Sequence, residues 1–260
     1  MRAPRVRAAA DGRHRRRGRS RAQRPSHDSR APADCHLAQH EPELYECLLR
    51  MKRLDGSIAS ASEFIPVAEQ FGLAKLVDHR ALELAFELLN SAPDIKLALN
   101  VSAATAADPQ WLRGLEAFAG KAGGTAERLT IEITETAAIS DLEETAKFVA
   151  AVKALGCRVA LDDFGAGYTS FRNLRLLGVD MVKIDGSFIQ NLGSQAEDEL
   201  FVRTLIDLAK SFGITTVGEW VGDEQTAKLL EKAGVSYMQG YFFGAPELTR
   251  ETSAAIPLAK

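Results

Sequence analysis

The sequence predicts an α/β protein, and a closed (β/α)8 barrel fits it slightly better than an open doubly wound sheet. Short apolar runs alternate with segments of helical spacing over about 210 residues, which is typical of parallel strands covered by helices. No glycine-rich phosphate loop follows any of these runs, which disfavours the open sheet. Seven runs resemble strands, whereas a full barrel needs eight.

The seven predicted strands are short, and turn or helix signals bound them. An eighth strand should precede Leu44, but residues 33–43 make a poor strand. In chain order the predicted strands are 44–51, 95–102, 129–134, 158–163, 181–185, 215–221 and 237–242.

Three segments between the strands carry apolar residues at helical spacing. Ser140 and Asp141 indicate the start of one helix, and Gly156 and Gly213 indicate the ends of two. The apolar positions are Leu142, Ala146, Val149 and Val152, then Phe201, Leu205, Leu208 and Phe212, and finally Ala227 with Leu230.

Composition excludes several classes of protein. Hydrophobic residues make up 46% and charged residues 26%, as in globular domains, and no apolar stretch is long enough to span a membrane. The three cysteines are an odd number without close spacing, which excludes a disulfide scaffold and indicates a reducing compartment, the cytoplasm. The five histidines contain no HExxH pattern, so histidine-based metal chemistry is not expected.

The N-terminal segment differs from the rest of the chain. Residues 1–30 hold eleven arginines and two aspartates, a net charge of +9, whereas the remaining residues carry −12. We expect residues 1–35 to form a disordered extension, 36–250 the folded domain and 251–260 a C-terminal tail. The alternative for the extension is a basic arm for nucleic acid or anionic lipid, but arginine without interleaved aromatic residues is a weak signal for that.

Each predicted strand carries a polar side chain among neighbours that should be buried. Burying unpaired charges costs several kcal/mol each, and Lys183 alone cannot neutralise five carboxylates. Oxygen ligands without histidine or cysteine indicate Mg²⁺ or Mn²⁺, at the end of the barrel where active sites lie. The polar residues are Glu46, Asn100, Glu132, Asp162, Asp163, Lys183, Asp185, Glu219 and Gln239.

Adjacent Asp162 and Asp163 can face one site only where the strand ends, because neighbours within a strand point to opposite faces. Gly165 and Gly167 permit the turn that this requires. The pair therefore indicates a strand end that presents two oxygen ligands, one of which could bridge two metals.

Several motifs together resemble those of the EAL-domain family, the cyclic-di-GMP phosphodiesterases. The resemblance covers roughly residues 40–248 and follows the family's order. The motifs are ECLLR (46–50), EFIPVAE (63–69), LNVS (99–102), EITET (132–136), DDFGAGYTS (162–170), VKIDGSF (182–188), GEWV (218–221) and QGYFFGAP (239–246).

The resemblance implies a (β/α)8-like barrel with an antiparallel first strand, and hydrolysis of cyclic-di-GMP to linear pGpG. It implies a homodimer, no nucleic-acid polymer as partner, two Mg²⁺ or Mn²⁺ ions, and inhibition by Ca²⁺. Metal ligation falls to Glu46, Asn100, Glu132, Asp162, Asp163 and Glu219, with Asp162 bridging.

The same resemblance implies roles for four further residues. Lys183 would contact the attacking water, and Gln239 would help to hold the water and the metal cluster. With Glu219, these two form the expected catalytic set. Arg50 would contact a substrate phosphate, and Glu135 would fix the loop after Asp163, which couples metal binding and dimerisation to activity.

This chain departs from the family pattern at four positions. Cys47 replaces alanine, Ala166 replaces threonine, Trp220 stands where glycine is usual, and Gly222 replaces a second glutamate. In addition, the opening strand has no convincing counterpart. Two other functions remain open: a silent cyclic-di-GMP receptor, and a barrel enzyme for another phosphodiester or sugar phosphate. The complete ligand set favours the phosphodiesterase.

Overall fold

The computed structural model of the 260-residue chain describes residues 5–7, 44–121, 124–167, 170–244, 247–249 and 253–259. Its strands are β1 (Arg5–Arg7), β2 (Leu44–Leu48), β3 (Arg50–Lys52), β4 (Ile58–Ser60), β5 (Leu97–Asn100), β6 (Leu129–Thr134), β7 (Arg158–Phe164), β8 (Met181–Ile184), β9 (Thr215–Gly218), β10 (Tyr237–Gln239), β11 (Glu247–Thr249) and β12 (Ser253–Ala259).

The helices lie mostly between these strands, and a short 3₁₀ turn (Ala126–Arg128) precedes β6. They are α1 (Ala61–Gln70), α2 (Ala74–Ser91), α3 (Ala103–Ala106), α4 (Pro109–Lys121), α5 (Glu135–Ser140), α6 (Leu142–Ala154), α7 (Phe171–Leu177), α8 (Gly186–Ile189), α9 (Ala196–Ser211) and α10 (Glu224–Ala233).

The predicted α/β barrel class is confirmed. All seven predicted strands are present, and β2, β5, β6, β7, β8, β9 and β10 are neighbours in that order, each parallel to the next. Parallel strands place their carboxyl ends at one edge, so the polar residues at those ends share one face of the molecule.

The antiparallel strand of the barrel comes from the C-terminal segment. Strand β12 pairs antiparallel with β2 on one side and with β10 on the other, so it joins the two outer strands of the parallel sheet. The resemblance places such a strand first in the chain, whereas here it is formed by residues 253–259, within the segment expected to be a tail. It lacks the alternation that marks an amphipathic strand, which explains why its sequence did not indicate it.

A second sheet of three strands contains β1, β3 and β4. Strand β3 pairs antiparallel with both others, and Val6 lies opposite Met51. Thus residues 5–7 of the predicted N-terminal extension form a short strand. The rest of that extension, and residues 36–43 of the predicted domain, lie outside the described residues.

The predicted helices are confirmed at their caps as well as their cores. The Asp141 side chain accepts a hydrogen bond from the Glu144 amide at 3.1 Å, which satisfies an amide that the first turn of α6 leaves free. Gly156, with φ +93°, follows α6, and Gly213, with φ +71°, follows α9. These are left-handed conformations that glycine adopts without strain.

Apolar side chains of the strands form two separate clusters. The larger one includes Leu99, Ile131 and Leu161 and packs against the helices. The smaller one consists of Leu44, Ala98, Ala160, Met181 and Val217, with Tyr237 at its edge. Because side chains alternate along a strand, the second cluster lies on the inner face of the barrel, and each next inner position leads toward the carboxyl-terminal mouth.

Candidate functional site

A ring of polar side chains lies one inner position above the small apolar cluster. Six of its members stand two residues after Leu44, Ala98, Ala160, Met181, Val217 and Tyr237, and the seventh, Glu132, is the register partner of Asn100. Period-two alternation therefore places one polar residue from each parallel strand at the same height. The ring comprises Glu46, Asn100, Glu132, Asp162, Lys183, Glu219 and Gln239.

Lys183 lies at the centre of this ring with its side chain 1% exposed. Its Nζ is 2.9 Å from Glu219 Oε1 and 3.0 Å from Asp162 Oδ1. The same atom is 3.4 Å from Glu132 Oε2 and 3.9 Å from Glu46 Oε2. One ammonium thus faces four buried carboxyl groups, so full ionisation of all four would leave three negative charges that the lysine does not compensate.

Burial and crowding change the protonation equilibria of the ring. Burial raises the pKa of Glu219 to about 8 against the opposing effect of Lys183. Burial also raises the pKa of Glu132 well above its ordinary value, and the carboxylates of Glu46 and Asp162 add to the rise. Burial alone would lower the pKa of Lys183, but Glu132 and the other three carboxylates raise it well above its ordinary value, so the lysine stays charged.

Two amides hold Glu46 in place. Asn100 Nδ2 donates to Glu46 Oε1 at 2.9 Å, and Gln239 Nε2 donates to Glu46 Oε2 at 2.6 Å. Among the residues that the structure describes, Glu132 Oε1 and Gln239 Oε1 are buried oxygens without a hydrogen-bond partner. Buried acceptors are normally satisfied, so these two oxygens fit the coordination of a cation or of a bound water.

Asp162 and Asp163 meet Glu219 at the mouth. Oxygen atoms of these three carboxylates lie within 4.8 Å of one another. Asp163 adopts φ +55°, and the pairing of β7 with β8 shifts register between Leu161 and Phe164. This irregularity turns the exposed Asp163 toward the side of Asp162, whose Oδ1 accepts the Asp163 amide at 3.0 Å. The structure thus brings together two neighbours that a regular strand would separate.

Glu135 holds the loop that follows Asp163. It is 2% exposed at the start of α5, and its Oε2 accepts hydrogen bonds from the amides of Gly165 at 2.8 Å and Gly167 at 3.1 Å. A Cβ at Gly167 would lie 2.8 Å from Glu135 Oε1, so the carboxylate needs glycine there. Residues 168 and 169 of the predicted loop motif lie outside the described residues.

Arg50, like Asp163 and Glu135, is a predicted site residue that lies outside the ring. It is half-buried in β3, beyond the carboxyl end of β2, and its guanidinium donates to the Leu49 carbonyl at 2.9 Å. Its neighbour Cys47, which replaces alanine, is buried in the large outer cluster. Cys47 therefore faces away from the ring.

Sequence reasoning missed the role of Asp78 beside the site. This buried side chain of α2 accepts hydrogen bonds from the Ser102 amide at 2.9 Å and the Ser102 hydroxyl at 2.6 Å. It thereby fixes the turn that leaves Asn100. An acidic residue inside an apolar helical pattern was the available signal, but its partner lies 24 residues away.

Trp220, singled out as a departure, occupies an unusual position. It directly follows Glu219, has φ +52° and is 55% exposed. A Cβ on Gly186 would overlap the indole, so the ring lies against the backbone just after β8. Of the other departures, Ala166 lacks the hydroxyl of the family's threonine, and Gly222 lacks the carboxylate of the family's second glutamate.

Comparison with known proteins identifies the family of this chain. The family model of the EAL domain matches residues 32–246. The chain belongs to the EAL domain family. Among its curated relatives is the cyclic di-GMP phosphodiesterase PdeF of Escherichia coli, 33% identical over 78% of this chain and 28% of PdeF. The cyclic di-GMP phosphodiesterase PdeB of Shewanella oneidensis is 32% identical over 81% of this chain and 25% of PdeB.

Solved EAL structures share the fold. The EAL domain of FimX from Pseudomonas aeruginosa, bound to c-di-GMP, superposes with a TM-score of 0.74 at 30% identity and covers 81% of this chain and 86% of its own. A c-di-GMP complex of the phosphodiesterase PaMucR gives 0.70 at 26% identity, with 79% and 85% covered. The chain spans less than a third of the curated relatives named above. Among the described helices, none is long and apolar enough to cross a membrane.

Proposed function

We propose that this EAL domain hydrolyses cyclic-di-GMP to linear pGpG with the help of two divalent cations, Mg²⁺ or Mn²⁺. The observation that carries the proposal is the ring around Lys183, in which five carboxylates, counting Asp163, and two amides converge at the mouth of the barrel. The names and bound ligand of the relatives indicate the substrate.

The residues present fit the proposed cations. Oxygen donors predominate, carboxyl groups outnumber the single ammonium, and Glu132 Oε1 is a buried oxygen without a hydrogen-bond partner among the residues that the structure describes. Bound there, the two ions would supply an activated water and would stabilise the transferred phosphoryl group. The proposed ligands are Glu46, Asn100, Glu132, Asp162, Asp163 and Glu219, with Asp162 as the bridge.

The remaining residues act on the water and the substrate. Lys183 stays protonated, so its role is to donate a hydrogen bond to the attacking water and to stabilise charge that develops on the phosphate. Gln239, anchored through its amide nitrogen on Glu46, has its oxygen available to accept from that water. Arg50, just beyond the ring, would bind a phosphate of the dinucleotide.

Glu135 links the ring to the surface of the domain. By holding the amides of Gly165 and Gly167, it couples the position of Asp163 to the loop that follows. We expect a homodimer to act through this loop, in the cytoplasm, where a cyclic dinucleotide messenger and reduced cysteines would both be found.

The direct test is incubation of the purified chain with cyclic-di-GMP and chromatographic analysis of the nucleotides formed. We expect pGpG with Mg²⁺ or Mn²⁺ and none with Ca²⁺ or a chelator. Glu132→Gln should abolish the product, whereas Glu143→Gln, an exposed glutamate on α6, should not. Tight binding of cyclic-di-GMP without pGpG under every metal condition would instead indicate the receptor, and neither binding nor hydrolysis would refute both.

A further inference from the structure

Trp220 presents an aromatic face beside the proposed catalytic centre. It follows Glu219 in the chain and is 55% exposed, although most tryptophans in globular domains are largely covered. Its φ of +52° is rare for a bulky residue and is retained only where surrounding structure imposes it. An exposed and strained tryptophan next to a proposed metal ligand therefore requires a physical reason.

On one side, the indole of Trp220 packs against a glycine. The ring lies against Gly186, the first residue of α8, where any side chain would overlap it. The missing Cβ at Gly186 thus creates a flat backing for the ring at the mouth of the barrel, three residues after Lys183.

The backbone that carries the ring is held from the other side. The Val221 amide donates to the Gln239 carbonyl at 3.0 Å, and the Phe242 amide donates to the Val221 carbonyl at 3.1 Å. A Cβ at Gly240 would overlap the Val221 backbone, so the two segments are in close contact. Trp220 is therefore a fixed platform between the carboxyl ends of β8 and β10, not a side chain on a free loop.

We propose that Trp220 is a stacking platform for one purine base of the cyclic dinucleotide and thereby sets the affinity of this domain for its substrate. The inference rests on the proposed function for the identity of the ligand. A purine has a flat π-face that stacks on an exposed indole, and the adjacent Glu219 places the platform next to the position of the reacting phosphate.

Intrinsic fluorescence tests this directly, because the chain has two tryptophans and the other, Trp111, is fully buried. Titration of the Ca²⁺-loaded protein with cyclic-di-GMP should change the emission of Trp220 in a saturable way. Trp220→Phe should lose that change while it keeps most of the affinity, since a phenyl ring still stacks. Calorimetry measures the affinity of each variant independently.

Removal of the ring should weaken binding by about 10- to 100-fold. Trp220→Gly and Trp220→Asn both tolerate positive φ, so both should fold, which circular dichroism checks. In Mn²⁺ the loss should appear mainly as a higher KM and less in kcat, because stacking acts on bound substrate and transition state alike. Phe71→Ala, at another exposed aromatic position, serves as the control and should change neither the affinity for cyclic-di-GMP nor the KM.

The outcomes separate this inference from the proposed function. If wild-type protein binds and hydrolyses cyclic-di-GMP but Trp220→Gly and Trp220→Asn match it in affinity and KM, the stacking role is refuted and the function stands. The same result would follow if Trp220 served as a contact for a partner protein. If the wild-type protein neither binds nor hydrolyses cyclic-di-GMP, both are refuted.

Discussion

The two ends of the barrel are formed by the same strands but differ in how their polar groups are paired. At the amino-terminal end, Arg128 donates to the carbonyls of Leu89, Ala92 and Ile95 at 2.8–3.1 Å. Asp180 accepts the Val159 amide at 2.9 Å and pairs with Lys153 at 2.8 Å. These charges are each matched by a partner, and Lys153 and Asp180 remain partly exposed, so this end stabilises the fold at little electrostatic cost.

At the carboxyl-terminal end the balance is reversed. Four buried carboxylates share one lysine, and two buried oxygens have no partner among the described residues. The two non-glycine residues with positive φ in the described part of the chain, Asp163 and Trp220, also lie at this end. Unfavourable charge and backbone strain are thus concentrated where chemistry is proposed, and the opposite end and the core maintain the fold.

The largest expected effect comes from removing the ammonium of the ring. Lys183→Ala should lower turnover in Mn²⁺ by about 10³-fold or more, because the interaction with the water is made chiefly in the transition state. Affinity for cyclic-di-GMP in Ca²⁺ should change by only a few-fold in calorimetry. Lys153→Ala at the opposite end should leave turnover intact. Parallel loss of binding and turnover in Lys183→Ala would mean that this lysine has a purely structural role.

A charge-removing pair of variants sharpens the contrast between the ends. Glu132→Gln should abolish turnover but leave the melting temperature of the metal-free protein equal or higher, since it removes a buried carboxyl group whose ionisation is opposed by burial and by neighbouring carboxylates. Asp180→Asn should leave turnover intact and lower the melting temperature. The substitution weakens the ion pair with Lys153 and the hydrogen bond from the Val159 amide. Differential scanning calorimetry with a chelator and an activity assay decide the matter. Lower stability in Glu132→Gln would mean that Lys183 fully compensates this carboxylate.

Strand β12 connects the two edges of the parallel sheet, and deletion of residues 251–260 tests its contribution. We expect lower stability, because β2 and β10 lose backbone partners worth about 0.5–1.5 kcal/mol per hydrogen bond, with about 2–4 °C of melting temperature lost for each kcal/mol. Activity should also fall, since Glu46 lies opposite Ile256 in the register. An unchanged melting curve would show that the sheet does not depend on this strand.

The pH dependence of the metal-free protein should follow from Glu219. Its pKa rises from 4.5 to about 8 on folding, so between these values the folded state binds more protons than the unfolded state, and stability falls as pH rises. Melting temperatures in a chelator should therefore decrease from pH 4.5 to pH 8, and Glu132 adds to the same trend. Glu219→Gln should flatten the profile. A rise in melting temperature over this range in wild type would contradict the assigned direction.

The smallest effect is expected from the N-terminal extension. Deletion of residues 1–30 removes only β1, a three-residue strand paired with β3 on the small sheet, from the described structure. Melting temperature and turnover should change little. A large decrease in either would show that the arginine-rich segment contributes to the barrel or to the site.

Local patterns in the sequence were sufficient for much of the fold and for the membership of the ring. Polar residues within apolar strand runs predict that Glu46, Lys183 and Glu219 meet at one end of a barrel, and caps such as Asp141 and Gly156 predict helix ends, because these patterns are read over a few neighbouring residues. The family motifs added Arg50 and Glu135, whose sequence positions alone carry no such pattern.

The tertiary structure decided which of these residues contact one another. The pairing of Lys183 with four carboxylates depends on barrel closure, which brings β2, β6, β7 and β9 around β8. The strand β12 depends on two edges far from it in sequence, and the position of Trp220 depends on Gly186, 34 residues away. The sequence determines the local conformation and the face of each residue, whereas contacts between distant residues follow only from the free energy of the assembled fold.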